Sequence, residues 1–331
     1  EIRLSLVGSE MCIRDREYSI DVIQPEKIEF KQNSYEDGEN SIISFPEFLL
    51  LVLDVCTGGE QPASHYQPDK LIEKFDALKT YFTAGEFYEK MLYYRLLLDY
   101  YTIRRDIKDG QGNYSLILKG PKDDSDKLKQ YQSMLYVSTE AFYNWLKPYL
   151  RKLEQDELHS CAEMLAFLKK GDNERHSILP ARKDLSYKAS GNIRYWFWRL
   201  DYYLWEQRST FFNEEEQKIV EHYVFRRNRS IEHLHPQDES HNEEWEEEAV
   251  HSFGNLAMIS QSFNSQQSND HIQIKFARIH EQISNKSLQS IKMFLMCKLA
   301  DFNYLNWTMK LTKEHENEMI EFLERSFYIS D

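Results

Sequence analysis

Apolar residues along this chain recur mostly at helical spacing. "SFPEFLLLVLDVC" opens on Ser44, a residue type that caps helices, and carries Pro46 in the first turn, so a buried helix is predicted there. In "PDKLIEKFDAL" the positions Leu71, Ile72, Phe75 and Leu78 fall on one helical face. From Ala84 to Ile107 the pattern predicts one long aromatic helix, with Phe87, Met91, Leu92, Leu96 and Tyr100 inward. "DGQGNYSLILKGP" (Asp109–Pro121) reads as a turn and a short strand. Further helices are expected in "KLKQYQSMLYVS", "TEAFYNWLKPYLRKL" and "LHSCAEMLAFLKK". Gly171 to Gly191 is polar, contains Pro180 and reads as a linker. "NIRYWFWRLDYYLWEQ" (Asn192–Gln207) returns to helix, with Trp196, Leu200, Tyr203 and Leu204 at helical spacing.

After that the period changes. "HYVFRRNRSIEHL" (His222–Leu234) reads as a strand, and an acidic loop follows. "FGNLAMIS" (Phe253–Ser260) is a short apolar run, expected as a second strand, and "QSFNSQQSNDHIQIKFARIH" begins a helix. Strand, long loop, strand and helix make a ββα unit. The fold class expected is mainly α: a helical domain followed by an α+β domain that holds this unit. The division expected is residues 17–190 for the first and 191–331 for the second. Residues 1–16, "EIRLSLVGSEMCIRDR", resemble a translated sequencing-adaptor read. On that expectation the natural sequence enters at about Glu17 and its true N-terminus is missing.

Composition narrows the classes. At 331 residues and 41% hydrophobic, the chain can bury a sizeable core. It has no run of about 18 apolar residues, so no membrane-spanning helix and no membrane partner are expected. Cys12, Cys56, Cys161 and Cys297 are scattered without a CxxC pair, which argues against a zinc ribbon and suits a reducing, cytoplasmic setting. A net charge of −14 argues against nonspecific nucleic-acid binding by the whole surface. The charge is uneven, however. "DESHNEEWEEE" (Asp238–Glu248) is acidic throughout, whereas His271 to Lys313 holds Lys275, Arg278, Lys286, Lys292, Lys298, Lys310 and Lys313 against Glu281 and Asp301. This basic stretch is either a solvated helix face or a phosphate-binding one, with Lys275 the candidate nearest the motif.

The candidate chemistry centres on "NRSIEHLHPQ". Hydrolysing a phosphodiester with one metal needs a hard cation, a neutral histidine to take a proton from water, and a group that holds the imidazole in place. Glu232 and His233 end the first strand, and Pro236 stops it. Adjacent strand residues face opposite ways, so a bulge or bend is needed for both to reach one site. Asn255 follows Gly254, where a tight turn is cheap, and Asn264 near the helix start can offer a carbonyl oxygen to a metal. Oxygen-rich ligation by Glu232 and Asn264 suits Mg2+ or Mn2+. Upstream, alternation in the strand can present Arg227 and Arg229 on one face, toward a phosphate backbone or toward surface ion pairs. Trp245 reads as a packing anchor. His241, His251 and His271 read as solvated.

"SIEHLHPQ…W…FGNLAMISQSFNSQQSN" resembles the C-terminal nuclease domain of GmrSD-type, modification-dependent restriction endonucleases, an HNH-like ββα-metal fold. Order and spacing agree over about Ser230–Asn269. Upstream, "FPEFLLLVL", "LLLDYYTIRRD" and "QSMLYVS" resemble the family's connecting helical region more weakly. The resemblance implies a DNA endonuclease of bacterial anti-phage restriction, with modified DNA among its substrates. It implies His233 as general base, Glu232 and Asn264 as metal ligands, and Asn255 as the residue that holds the loop and orients His233. His235 falls at a variable position of the pattern. The family's N-terminal ParB-like domain carries an Asp-Gly-Gln-Gln-Arg signature; "DGQGN" at Asp109 departs from it, so no nucleotide-driven activity is assigned. DNA is the expected partner, and self-association into a homo-oligomer is left open. The alternatives are a non-catalytic DNA-binding or scaffold module, and a helical interaction protein carrying the motif by chance.

Overall fold

The computed structural model describes residues 41–107, 114–122, 125–138, 140–227, 229–237, 245–260, 272–285 and 287–328, all within one unit that runs from Glu39 to Asp331. The 1–16 segment, the turn at Asp109, most of the acidic loop and Asn264 lie outside them.

α1 (Phe45–Cys56) begins where its sequence predicts. Glu47 Oε2 accepts from the Ser44 amide and Ser44 Oγ accepts from the Glu47 amide, a reciprocal cap that satisfies two donors the first turn leaves over. Phe48, Leu50, Leu51, Val52 and Leu53 are buried, each worth roughly 1.5–3 kcal/mol of transfer free energy. α2 (Leu71–Leu78) packs on α1, with Phe75 and Leu78 against the core and Ile72 turned to solvent. α3 (Ala84–Tyr101) is shorter than expected and rotated from its expected face. Phe87, Tyr94, Leu97 and Leu98 are buried, whereas Leu92, Leu96 and Tyr100 are 62%, 56% and 46% exposed. Its apolar residues run round the whole helix, so spacing alone did not select a face.

The end of that predicted helix is instead β1 (Ile103–Ile107), which pairs antiparallel with β2 (Tyr114–Leu118). β-branched Ile103 and the Gln132 side chain, which accepts from the Ile103 amide, hold the switch from helix to strand. α4 (Ser125–Val137), α5 (Phe142–Glu154) and α6 (Cys161–Arg175) follow. α6 runs straight through Gly171 to Arg175, so its last turn takes up the start of the expected linker. Its polar residues are structural. Asp172 Oδ2 accepts from Tyr131, Tyr195 and the Arg199 guanidinium, and Arg199 also donates to Asn173 Oδ1 and Ser326 Oγ, all at 2.7–3.2 Å.

α7 (Ile193–Glu206) is the centre of the unit and is buried almost all round. α4, α12 (Ile291–Leu299), α13 (Met309–Arg325) and β4 (Leu256–Ser260) pack about it. Short α8 (Arg208–Phe211) and α9 (Glu214–Glu221) lead to β3 (Arg229–His233), which is five residues long rather than the thirteen expected. β3 pairs antiparallel with β4, from Arg229↔Ser260 to His233↔Leu256. Between them stands α10 (Glu247–Val250), and α11 (Ile272–Ser284) closes the ββα unit. Trp245, Leu234, Ala257, Ile259, Phe276 and Trp307 form its own apolar cluster. The fold is mainly α with small α+β portions, as expected.

Candidate active site

The β3–β4 ladder keeps regular register through Glu232↔Ala257 and His233↔Leu256, so the two motif residues leave the strand on opposite faces. Glu232 turns toward α11, where Lys275 Nζ lies 2.5 Å from its Oε1 and 2.7 Å from the His233 carbonyl oxygen. Lys275, expected on a phosphate-facing surface, is 2% exposed, and its charge is engaged in this buried pair.

His233 turns the other way. Its Nε2 stands 3.1 Å from His251 Nδ1, and the Gln237 amide nitrogen lies 2.9 Å from its Nδ1 and 3.2 Å from its Nε2. Tyr187 covers both imidazoles, edge-on to His233 at 4.5 Å between ring centroids and stacked on His251 at 5.7 Å. The Tyr187 amide donates to the His251 carbonyl, which ties the 187 segment to the end of α10. Burial above all, then His251, Lys275 and His235, lowers the His233 pKa to about 3, so the ring is neutral at pH 7. Beside it, a cleft of about 390 Å³ opens between Tyr187, Gly191, Asn192 and Arg194 on one side and Ser230 and Ile231 of β3 on the other. Tyr187, which lines this cleft, is the residue that packs on the imidazole.

Asn255 does not touch the His233 ring. It fixes the backbone on either side. Its Oδ1 accepts from the His235 amide at 2.8 Å and from Trp307 Nε1 at 3.2 Å, and its Nδ2 donates to the carbonyls of His235 and Val250 at 3.0 and 2.9 Å. One fully buried amide thereby joins the end of β3 to the end of α10, the segment that bears His251. Gly254 beside it allows close approach to α13: a Cβ there would fall 2.3 Å from the Thr312 carbonyl oxygen. Lys292, buried in α12, donates to the carbonyls of Phe253 at 2.8 Å and Leu256 at 2.6 Å, and burial lowers its pKa to about 7. His235 stacks flat on Trp245, 3.9 Å between centroids.

The remaining expected site residues are more scattered. The Arg227 guanidinium lies 4.0 Å over the Tyr136 ring and donates to the Tyr136 carbonyl, ahead of the strand rather than within it. Arg229 begins β3 and pairs with Ser260 through the backbone. Asn264 lies outside the described residues. Among the described residues no group of three or more His, Cys, Asp or Glu side chains could hold a metal ion, and the one carboxylate of the motif is neutralised by Lys275. The described donors therefore do not by themselves fit a divalent cation.

Sequence reasoning missed His251, Gln237, Tyr187 and Lys292. His251 carried one signal, its position just ahead of Gly254 and Asn255. Lys292 carried another, a cation inside the apolar run "SIKMFLMC". Among the described residues no helix is long and apolar enough to cross a membrane.

Residues 172–322 match the family model described as GmrSD restriction endonucleases, C-terminal domain. No curated protein and no solved structure matches the chain. The matched stretch begins at the Asp172 of the buried Arg199 network and contains Tyr187, the β3–β4 hairpin, His251, Asn255 and α12, so the elements that build the site are those the family model spans. Over residues 172–322 the chain is therefore similar to the C-terminal domain of GmrSD-type restriction endonucleases.

Proposed function

We propose that the chain is the DNA-cutting part of a GmrSD-type restriction endonuclease, a Mg2+- or Mn2+-dependent enzyme that hydrolyses phosphodiester bonds, modified DNA included, in anti-phage defence. In this reading residues 17–190 are the connecting region and 191–331 the HNH-like nuclease domain, working in the cytoplasm, with self-association left open. The observation that carries the reading is His233, a buried neutral imidazole at a strand end, held by two partners beside a cleft. A neutral imidazole can take a proton from water. A phosphodiester in the cleft brings negative charge beside the ring and favours the imidazolium that results. Asn255 keeps the turn that aims the ring, and Lys275 fixes the strand end through the His233 carbonyl. Arg227 and Arg229, just upstream, are the proposed contacts to the DNA backbone. Glu232 and Asn264 remain the proposed metal ligands, which requires Glu232 to leave Lys275.

The test is cleavage of plain, hydroxymethylated and glucosylated DNA with Mg2+, with Mn2+ and with chelator. Cleavage should require the metal and should disappear in His233→Ala, with the circular dichroism spectrum unchanged. Cleavage that survives His233→Ala refutes the assignment. A second reading, a non-catalytic DNA-binding or scaffold module, is favoured by the Glu232–Lys275 pair, which leaves the motif carboxylate neutralised. Binding without cleavage under every condition selects it.

A further inference from the structure

We propose that His251 is a positioning residue for His233: its Nδ1 accepts the Nε2 proton of His233 and so leaves the His233 Nδ1 lone pair as the proton acceptor. The inference rests on the reading of His233 as general base. It follows from what surrounds the two rings. The Gln237 amide nitrogen, a donor, lies 2.9 Å from His233 Nδ1 and 3.2 Å from its Nε2. A neutral imidazole has one protonated and one bare nitrogen. The nearer contact is at Nδ1, so the arrangement that sets a donor against an acceptor both there and at His251 puts the proton on Nε2, which faces His251 Nδ1 at 3.1 Å. His251 then carries its own proton on Nε2, away from the pair.

The rest of the site preserves this arrangement. His251 is held by its backbone, its carbonyl accepting from the Tyr187 amide, and Tyr187 lies across both rings. Asn255 bonds to the Val250 carbonyl, one residue before His251, and to both backbone groups of His235, two residues after His233. The two rings therefore sit on segments clamped by one amide. Gln237 is exposed, so a water can displace it and donate to Nδ1 without disturbing the buried pair.

Two substitutions separate hydrogen bonding from packing. In His251→Asn the side-chain oxygen can stand close to where Nδ1 stood, so the acceptor is kept and the ring is lost. In His251→Phe the ring on Tyr187 is kept and the acceptor is lost. The first readout is the His233 tautomer by nitrogen NMR of histidine-labelled protein, the signal being identified by its loss in His233→Ala. The wild type and His251→Asn should show the proton on Nε2, whereas His251→Phe should show a mixture or the other tautomer. The second readout is DNA cleavage, where His251→Phe should lower kcat on the order of 10–100-fold with KM unchanged, a loss of the size that removing an orienting partner causes elsewhere. His251→Asn should retain most of kcat. Equal loss in both variants, or loss in His251→Asn alone, overturns the proposal, because ring packing would then be what matters. A wild type that never cleaves DNA overturns the nuclease reading, while the tautomer readout still decides the role of His251.

Discussion

Replacing Asn255 with alanine removes four hydrogen bonds while deleting only three heavy atoms. The partners left behind are the His235 amide and carbonyl, the Val250 carbonyl and Trp307 Nε1, at 2.8, 3.0, 2.9 and 3.2 Å from the lost amide. Asn255 is fully buried, so water cannot replace the lost groups without opening the loop. Each bond contributes about 1 kcal/mol net, and more when its partner stays buried, so the loss should be about 3–5 kcal/mol. Trp307→Phe removes one of the four and should lose about 1 kcal/mol through that bond. Urea denaturation of the full chain measures both, as a fall in midpoint at constant slope. The double variant should be less destabilised than the sum, because the Trp307 bond is counted in each single variant. A loss below about 1 kcal/mol for Asn255→Ala would refute the clamp, since the four bonds could not then be net favourable.

Three further outcomes follow from the same geometry. Gly254→Ala should destabilise by at least about 1–3 kcal/mol in thermal melts, because the clashing Thr312 oxygen is backbone and cannot swing away; an unchanged midpoint would contradict the packing of α13. Arg199→Met should lose about 3–5 kcal/mol, because the buried Asp172 carboxylate loses the nearer of its two guanidiniums; a loss within about 1 kcal/mol would mean the remaining Arg175, Tyr131, Tyr195 and His176 contacts satisfy it. His233 has a folded pKa of about 3 against an ordinary 6.5, so the unfolded chain takes up the proton first. Its contribution is intact above pH 6.5 and is lost as pH falls from there toward 3, roughly 2–3 kcal/mol by about pH 4.5. His233→Asn should flatten that part of the urea-midpoint profile, and an unaltered profile would show that His233 is not buried neutral.

Elements with a local signature were legible in the sequence. Ser44 and Glu47 mark the start of α1, and the β3–β4 hairpin follows from Arg229–His233 and Leu256–Ser260 with the turn residues between. The face of α3 was not legible, because apolar residues surround that helix and tertiary packing chose among them. The polar stretch after Gly171 looked like a linker because Asp172, Asn173 and His176 are polar. The bonds of Asp172 and Asn173 run to Tyr131, Tyr195 and Arg199, and the His176 ring stacks on Tyr195, too far along the chain for a local pattern to reveal. His251 was obscured for the same reason, since its meaning comes from His233 eighteen residues earlier.

The strand register assigns Glu232 and His233 different surroundings, and this changes how the motif works. A bulge would have brought both residues to one site, but the ladder stays regular to His233↔Leu256. The carboxylate is thereby paired with Lys275 against α11, and the imidazole is left to His251, Gln237 and the cleft. Lys275 links the two faces, since one ammonium bonds both the Glu232 carboxylate and the His233 carbonyl. A cation binding Glu232 would have to displace that ammonium, freeing the His233 carbonyl at the same time. Occupation of the carboxylate and the position of His233 are thus coupled through a single side chain. In Lys275→Met the carboxylate loses its partner and the strand end its anchor together.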